Sequence, residues 1–361
     1  SRGLGDVYKR QTLLSPGSES FIKSIFYGIN RQTANYLAVN TNGPGANGSG
    51  VANDTIIEQT ESTFDAASNL ILSTRWLRFH DATGTGLLNG PNSAQPKARR
   101  MFVADYFDGI GRTIANADFG TNGGAELSRP ATIPERSDIV LVATTEFDAA
   151  GLVAVVGDPN AIQTHTFYDD ASRQIRLEEG ANPCAENSED VRISEFGYAP
   201  DGGLKTLTLI NPVTGNQITT WVYGTTLADS EIARSDLLRA KIYPESDDLP
   251  EPLGDGADGT YERVEYSYNR QADSVSMKDP NETIHAYEYD QIGRKTQDRV
   301  TAFGSSIDQT VRRIQTAYDL RGLTTTVTSY DNATVGQGTV INQAEFEYDD
   351  FGQLSKDAQS H

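Results

Sequence analysis

The stretch Tyr287 to Gly304, YEYDQIGRKTQDRVTAFG, writes a β-hairpin in its own residue order. Its first half alternates large apolar and polar side chains, the period of a half-buried strand, and then reaches Asp290, Gln291, Ile292 and Gly293. Asp suits the first position of a type I turn because its carboxylate can accept a nearby backbone N–H. Gly after the two central residues tolerates positive φ. A type I turn followed by a left-handed residue closes a hairpin with a bulge, which makes Arg294 the opening of the returning strand. A lone hairpin is marginal in water, so a fold built on this unit needs neighbours of the same kind.

The neighbours are present. Tyr318-Asp319 to Gly322 and Tyr348-Asp349 to Gly352 match closely, while Phe107-Asp108 to Gly111 with Arg112, and Phe147-Asp148 to Gly151, place Phe where Tyr stood. Phe64-Asp65 to Ser68, Tyr168-Asp169 to Ser172 and Tyr268-Asn269 to Ala272 replace the glycine. Tyr198-Ala199-Pro200-Asp201-Gly202 puts Pro and Asp at the turn centre. Pro presets φ there and Gly follows, so the backbone solution is unchanged. Self-similarity at a spacing of a few tens of residues is the signature of a repeat architecture, in which stability accumulates through neighbour interfaces. The ring before each turn is expected to stack on equivalent rings of adjacent strands, and Arg294 and its equivalents to cover those rings or meet the turn carboxylates.

This recurring unit resembles the YD repeat of the RHS and teneurin-like proteins, whose units read roughly Y-x-Y-D-x-x-G-R before a short polar strand. The resemblance runs from about Phe64 to Gly352. It implies an all-β fold, an antiparallel hairpin ribbon wound as a spiral and forming part of a hollow β-shell. It also implies a non-catalytic scaffold fragment that encapsulates or presents a C-terminal effector or toxin, in a secreted or cell-surface protein. The partners are then the missing remainder of its own chain and that effector. The alternative is an extracellular adhesion or carbohydrate-binding surface whose aromatic residues, among them Trp76 and Trp221, stack on cell-surface glycans.

The hydrophobic share of 37% is low for a compact globule of 361 residues but suits sheets with one solvated face. No window approaches a membrane span. A formal charge of -20 with acids interleaved along the chain argues against nucleic-acid binding, because a phosphate backbone would be repelled. A single cysteine, Cys184, permits neither an intrachain disulfide nor a zinc site of two thiolates.

The chain divides into three parts. Residues 1–11, SRGLGDVYKRQ, fit neither a signal peptide nor a strand pattern and read as a non-native, sequencing-derived segment. Residues 12–63 hold strands around Phe21 to Ile29 and Ala34 to Val39, then a Gly-rich loop. Gly43 to Gly48 formally satisfies G-x-G-x-x-G there, but no helix follows to hold a pyrophosphate. Residues 64–361 form the repeat array, incomplete at its C-terminus, with insertions near 80–97, 178–190 and 225–260. The run Leu152 to Val156 suggests a strand covered on both faces. Asp229 to Ala240 could form a short capped helix.

Catalysis finds little to work with. The chain has four histidines and shows no P-loop, no G-x-S-x-G and no H-E-x-x-H. His80-Asp81 are adjacent and would point to opposite faces of a strand. The regularly placed carboxylates at Asp108, Asp148, Asp290, Asp319 and Asp349 already have a task at turns. Glu245 to Asp258 carries six acids and no base, which invites a calcium reading, but the EF-hand spacing is missing and a solvated acidic loop is the better expectation. No catalytic, metal or cofactor residue is assigned.

Overall fold

A computed structural model describes residues 8–13, 20–28, 31–39, 50–181, 191–244, 246–304 and 307–360. Gly43 to Gly48 and Cys184 lie outside the described residues. Two compact units divide the chain, residues 1–173 with 177–191 and residues 174–176 with 192–361.

The described residues are all-β, with one short 3-10 turn at Asn122–Gly124 and no α-helix. In the first unit the strands are β1 (Tyr8–Leu13), β2 (Ser20–Tyr27), β3 (Arg31–Val39), β4 (Thr55–Phe64), β5 (Leu70–Arg78), β6 (Ala98–Phe107), β7 (Thr113–Gly120), β8 (Leu141–Phe147), β9 (Val153–Gly157) and β10 (Gln163–Tyr168). Each pairs antiparallel with the next in sequence. β11 (Gln174–Ala181) is shared between the units.

The second unit continues with β12 (Arg192–Tyr198), β13 (Leu204–Ile210), β14 (Gln217–Tyr223), β15 (Leu238–Ile242), β16 (Leu249–Pro250), β17 (Leu253–Gly254), β18 (Arg263–Tyr268), β19 (Ser274–Lys278) and β20 (Ile284–Tyr289). It ends in β21 (Lys295–Ala302), β22 (Arg313–Tyr318), β23 (Thr324–Tyr330), β24 (Val340–Tyr348) and β25 (Leu354–Ser360). These too pair antiparallel in sequence order, except that β16 and β17 form a separate ribbon and β15 pairs directly with β18. The architecture of each unit is thus an open antiparallel hairpin ribbon.

Burial follows the period-2 pattern where one face meets a core. β6 alternates buried side chains with exposed or half-buried ones along its whole length, and Phe102, Ala104 and Tyr106 pack with Ala115, Ala117, Phe119 and Val142. A second cluster joins Phe21, Tyr36, Ala38 and Ile56 with Leu88 and Ala98. The second unit has a smaller one, Val222, Ala240 and Ile242.

Several expectations differ from the structure. Tyr8–Leu13 forms β1, in register with β2, although its sequence carries no strand alternation. The insertion at residues 80–97 is tied into the core rather than standing apart from it. Leu88 is buried against Ile56, and its backbone N–H donates to the buried Gln59 side chain at 3.0 Å. Asp229 to Ala240 is not helical: Asp229 accepts from Thr226 at 2.9 Å to close a turn, and Leu238 enters β15. The apolar residues there are too few to bury one helical face, whereas the strand gains pairings on both sides. β15 also shows that residues 225–260 are not one continuous insertion. Nor is Leu152 to Val156 covered on both faces, since Val156 is 44% exposed. The valine run expresses strand propensity rather than two-sided burial.

Candidate functional site

The repeat residues gather at the hairpin turns. At Asp290 the backbone closes twice, Asp290 N–H to the Arg294 carbonyl at 2.9 Å and Gly293 N–H to the Asp290 carbonyl at 3.0 Å. The carboxylate then accepts the N–H groups of Ile292 and Arg294, both at 3.0 Å, and the Arg294 guanidinium at 2.6 Å. The same pattern holds at Asp108 with Ile110 and Arg112, and at Asp169 with Ala171 and Arg173. The backbone N–H of that following Arg, with its guanidinium, keeps Asp108, Asp169 and Asp290 below the usual carboxylate range.

The turns at Asp65, Asp148, Asn269, Asp319 and Asp349 share the backbone closure, as does Ala199 with Gly202. The closing residue has positive φ whether it is glycine (Gly111, Gly151, Gly202, Gly293, Gly322, Gly352) or Ser68, Ser172 and Ala272. Sequence reading missed two copies, at Asp158 and Asp279, closed by Ala161 and Glu282 in the left-handed region. Their signal was present: Asp at the first position and Pro at the second. What they lack is the ring before the turn, since Gly157 and Lys278 stand there.

The ring before the turn works differently from expectation. Among the described residues the ring pairs are His165 with Phe167 and His285 with Tyr287, and no two repeat-position rings stack. Each repeat tyrosine instead donates its hydroxyl to a backbone carbonyl: Tyr168 to Val153 at 3.0 Å, Tyr198 to Gln174 at 2.7 Å, and Tyr268 to Leu238 at 2.7 Å. Tyr289 donates to Ser274 at 2.7 Å, Tyr318 to Lys295 at 2.9 Å and Tyr348 to Thr324 at 3.0 Å. In these last three the acceptor is the fifth residue after the previous turn's Asn or Asp. Strand spacing explains the choice, because a Tyr side chain reaches across a neighbouring strand to its backbone more readily than to a ring at the same height. Burial raises the Tyr268 and Tyr289 hydroxyls, which remain donors at neutral pH.

The arginines do both things expected of them. Arg112 pairs with Asp108 and lies 4.0 Å over the Phe147 ring; Arg294 pairs with Asp290 and lies 4.5 Å over Tyr318. Each therefore links its own turn to the next hairpin. Arg31 lies 5.8 Å over the Phe64 ring and donates to the Asp65 carbonyl at 3.3 Å, and Arg321 reaches the Asp349 carbonyl at 2.8 Å.

Away from the turns, one histidine meets a carboxylate. His285 Nδ1 lies 2.7 Å from Asp298 Oδ1 between β20 and β21, a diagonal cross-strand pair that counting outward from the Asp290 turn could have found. Its other ring nitrogen bonds no hydroxyl or thiol among the described residues, so the pair lacks a nucleophile. His80 sits in an exposed turn. In the acidic loop, Asp247, Asp258 and Glu262 bring carboxylate oxygens within 4.8 Å of one another. Asp247 already accepts the N–H of Ala257 at 2.5 Å, and buried Asp248 pairs with Arg263 at 2.9 Å. Arg263 also holds Asp255 and Glu265, so the loop's acids are partly used by one buried cation. Glu245 lies outside the described residues.

No protein-family model matches the sequence, and no curated protein sequence matches it. Among solved structures, the Tc holotoxin pore of Photorhabdus luminescens carrying a TccC3 mutation is similar at 9% identity and a TM-score of 0.29. This chain is covered over 94% of its length and that one over 20%. A TcdB2-TccC3 crystal structure gives 12% identity, a TM-score of 0.26 and coverage of 98% and 23%. The chain without its hypervariable C-terminal region gives 11%, 0.26, 98% and 22%. This chain thus spans about a fifth of the length of those neighbours.

Proposed function

We propose that the chain is a non-catalytic portion of an RHS or YD-repeat protein, a hairpin ribbon wound into a shell that encloses or presents a C-terminal effector. The aromatic, Asp, Gly and Arg positions named above are its repeat positions. The observation that carries this reading is how the repeat side chains are used. Tyrosine hydroxyls and arginine guanidiniums join adjacent hairpins, and the turn carboxylates hold their own backbones. Groups so occupied build a wall and leave few free for chemistry. By the same resemblance the complete protein is secreted or displayed at a cell surface. The adhesion reading draws less support: Trp76 lies under Arg100 at 5.1 Å and Trp221 beside Lys241 at 5.9 Å, so neither offers a bare ring to a sugar.

The test is protease protection of the natural full-length protein. The segment downstream of the repeats is expected to resist digestion while the ribbon is folded and to be degraded once denaturant opens it. Digestion of that segment at the rate of the isolated domain would overturn the proposal. Saturable glycan-array binding lost on Trp76→Ala or Trp221→Ala would favour adhesion instead.

A further inference from the structure

The side chain four places after each turn's first residue faces the next turn, and its identity varies along the ribbon. Asn69 Oδ1 would lie 3.4 Å from a Cβ placed on Gly111, Arg112 Nη1 3.3 Å from one on Gly151, Arg294 Nη1 3.5 Å from one on Gly322, and Leu323 3.7 Å from one on Gly352. Each of those side chains thus reaches across to the next turn, and the grooves left beside Asn69 and Arg112 are the smaller ones, about 570 and 380 Å³. Between Asn269 and Asp290 the gap stays open: the residue at that place is Asp273, and a Cβ on Gly293 would meet nothing within 4 Å. A groove of about 720 Å³ results, lined among others by Asp273, Val275, Tyr287, Tyr289 and Asp290.

The groove has the two partners a guanidinium uses elsewhere in this chain, an aromatic face and a carboxylate. Tyr289 is anchored through its hydroxyl to Ser274, and among the described residues no cation covers its ring, unlike Phe147 and Tyr318. Asp273 accepts from the Asn269 amide at 3.0 Å and has no ion-pair partner among the described residues. The other charges around the groove are matched. Asp290 holds Arg294, Glu288 holds Arg299 at 2.9 Å, and Lys295 lies over Tyr287 at 3.9 Å. Among the described residues around the groove, the uncompensated charge is therefore a carboxylate beside an uncovered ring.

We propose that the groove between the Asn269 and Asp290 turns is a docking subsite for an arginine side chain of a partner polypeptide, its guanidinium lying over Tyr289 and pairing with Asp273. The choice of arginine follows from the chain's own usage, since its planar fork both stacks on a ring and pairs with a carboxylate. The partner is external because Arg294, the nearest arginine of the next turn, is committed to Tyr318. A net charge of -20 favours approach of a basic segment.

The test titrates the 361-residue chain with the peptide Gly-Gly-Arg-Gly-Gly and with its citrulline counterpart, following labelled tyrosine ring signals by NMR. The arginine peptide is expected to shift the Tyr289 signal saturably, and the citrulline peptide to bind roughly tenfold more weakly. Asp273→Asn should weaken the arginine peptide by about the same factor. Asp273→Arg should abolish binding and raise Tm by about 2 °C, because its own guanidinium would then fill the groove. Equal binding of the two peptides, no saturable shift at Tyr289, or unchanged binding in Asp273→Asn would each overturn the proposal. The Asn variant keeps the test decisive if the Arg variant does not fold.

Discussion

Hairpins β6–β7 and β22–β23 are closed by the same turn, at Asp108 and Asp319, yet they rest on different foundations. The first buries Phe102, Ala104, Tyr106, Ala115, Ala117 and Phe119. The second buries Arg313, Thr328 and Ser329, and its flanking hairpins add buried Thr283 and Gln297. The ring before the turn changes in parallel: Phe64, Phe107 and Phe147 end the strands that carry clustered apolar burial, whereas Tyr168 of the first unit and Tyr198, Tyr268, Tyr289, Tyr318 and Tyr348 of the second end strands outside those clusters. Where burial is plentiful the ring needs no hydroxyl; where it is sparse, the hydroxyl ties each hairpin to the last. A repeat can therefore keep its turn and exchange hydrophobic burial for directional contacts.

Breaking the burial side should have the largest effect. Phe102→Ala is expected to cost about 3–5 kcal/mol by urea denaturation, through lost transfer energy and a cavity. A loss near that of an exposed site would mean β6 has no core. Next is Arg313, which lies 3.9 Å over Tyr330 and donates to the Thr334 and Gln337 carbonyls at 2.6 and 3.1 Å. Arg313→Met should cost about 2–3 kcal/mol in the same assay, against little change for the exposed Arg270. Gly293→Val should cost about 2 kcal/mol, because a β-branched residue resists a φ of +82°. The reverse change Ala272→Gly should stabilise by up to about 1 kcal/mol, since Ala272 already has a φ of +70°. Tyr318→Phe should cost about 1 kcal/mol for one lost hydrogen bond, and Phe107→Ala should exceed it through lost burial.

Acid should weaken both regions through the feature they share. Asp108, Asp169 and Asp290 have folded values depressed below the unfolded one, so their contribution is complete above about pH 4 and is lost as pH falls through that value towards the folded ones. Tm should stay level from neutral pH down to about 5 as far as these groups decide it, then fall. Asp290→Asn should flatten part of the fall in a pH series.

What the sequence disclosed and what it hid have physical reasons. The turns were legible because Asp, two open positions and a left-handed residue act within five residues of chain. Asp158 and Asp279 escaped because Gly157 and Lys278 precede them where the other copies have a ring. The partner of each ring was not legible, since it depends on register between hairpins some fifteen to twenty-four residues apart. The burial of Leu88 was hidden for the same reason, as it depends on Gln59 across the sheet. The His285–Asp298 pair and the groove at Asp273 likewise follow from register and not from local spacing.

Electron cryomicroscopy of the natural full-length protein is the direct test of the proposed shell. The account predicts a hairpin ribbon closing around separate density that continues from its C-terminal end. An extended ribbon with no enclosed density, its aromatic turn edges turned to an outside ligand, would contradict it.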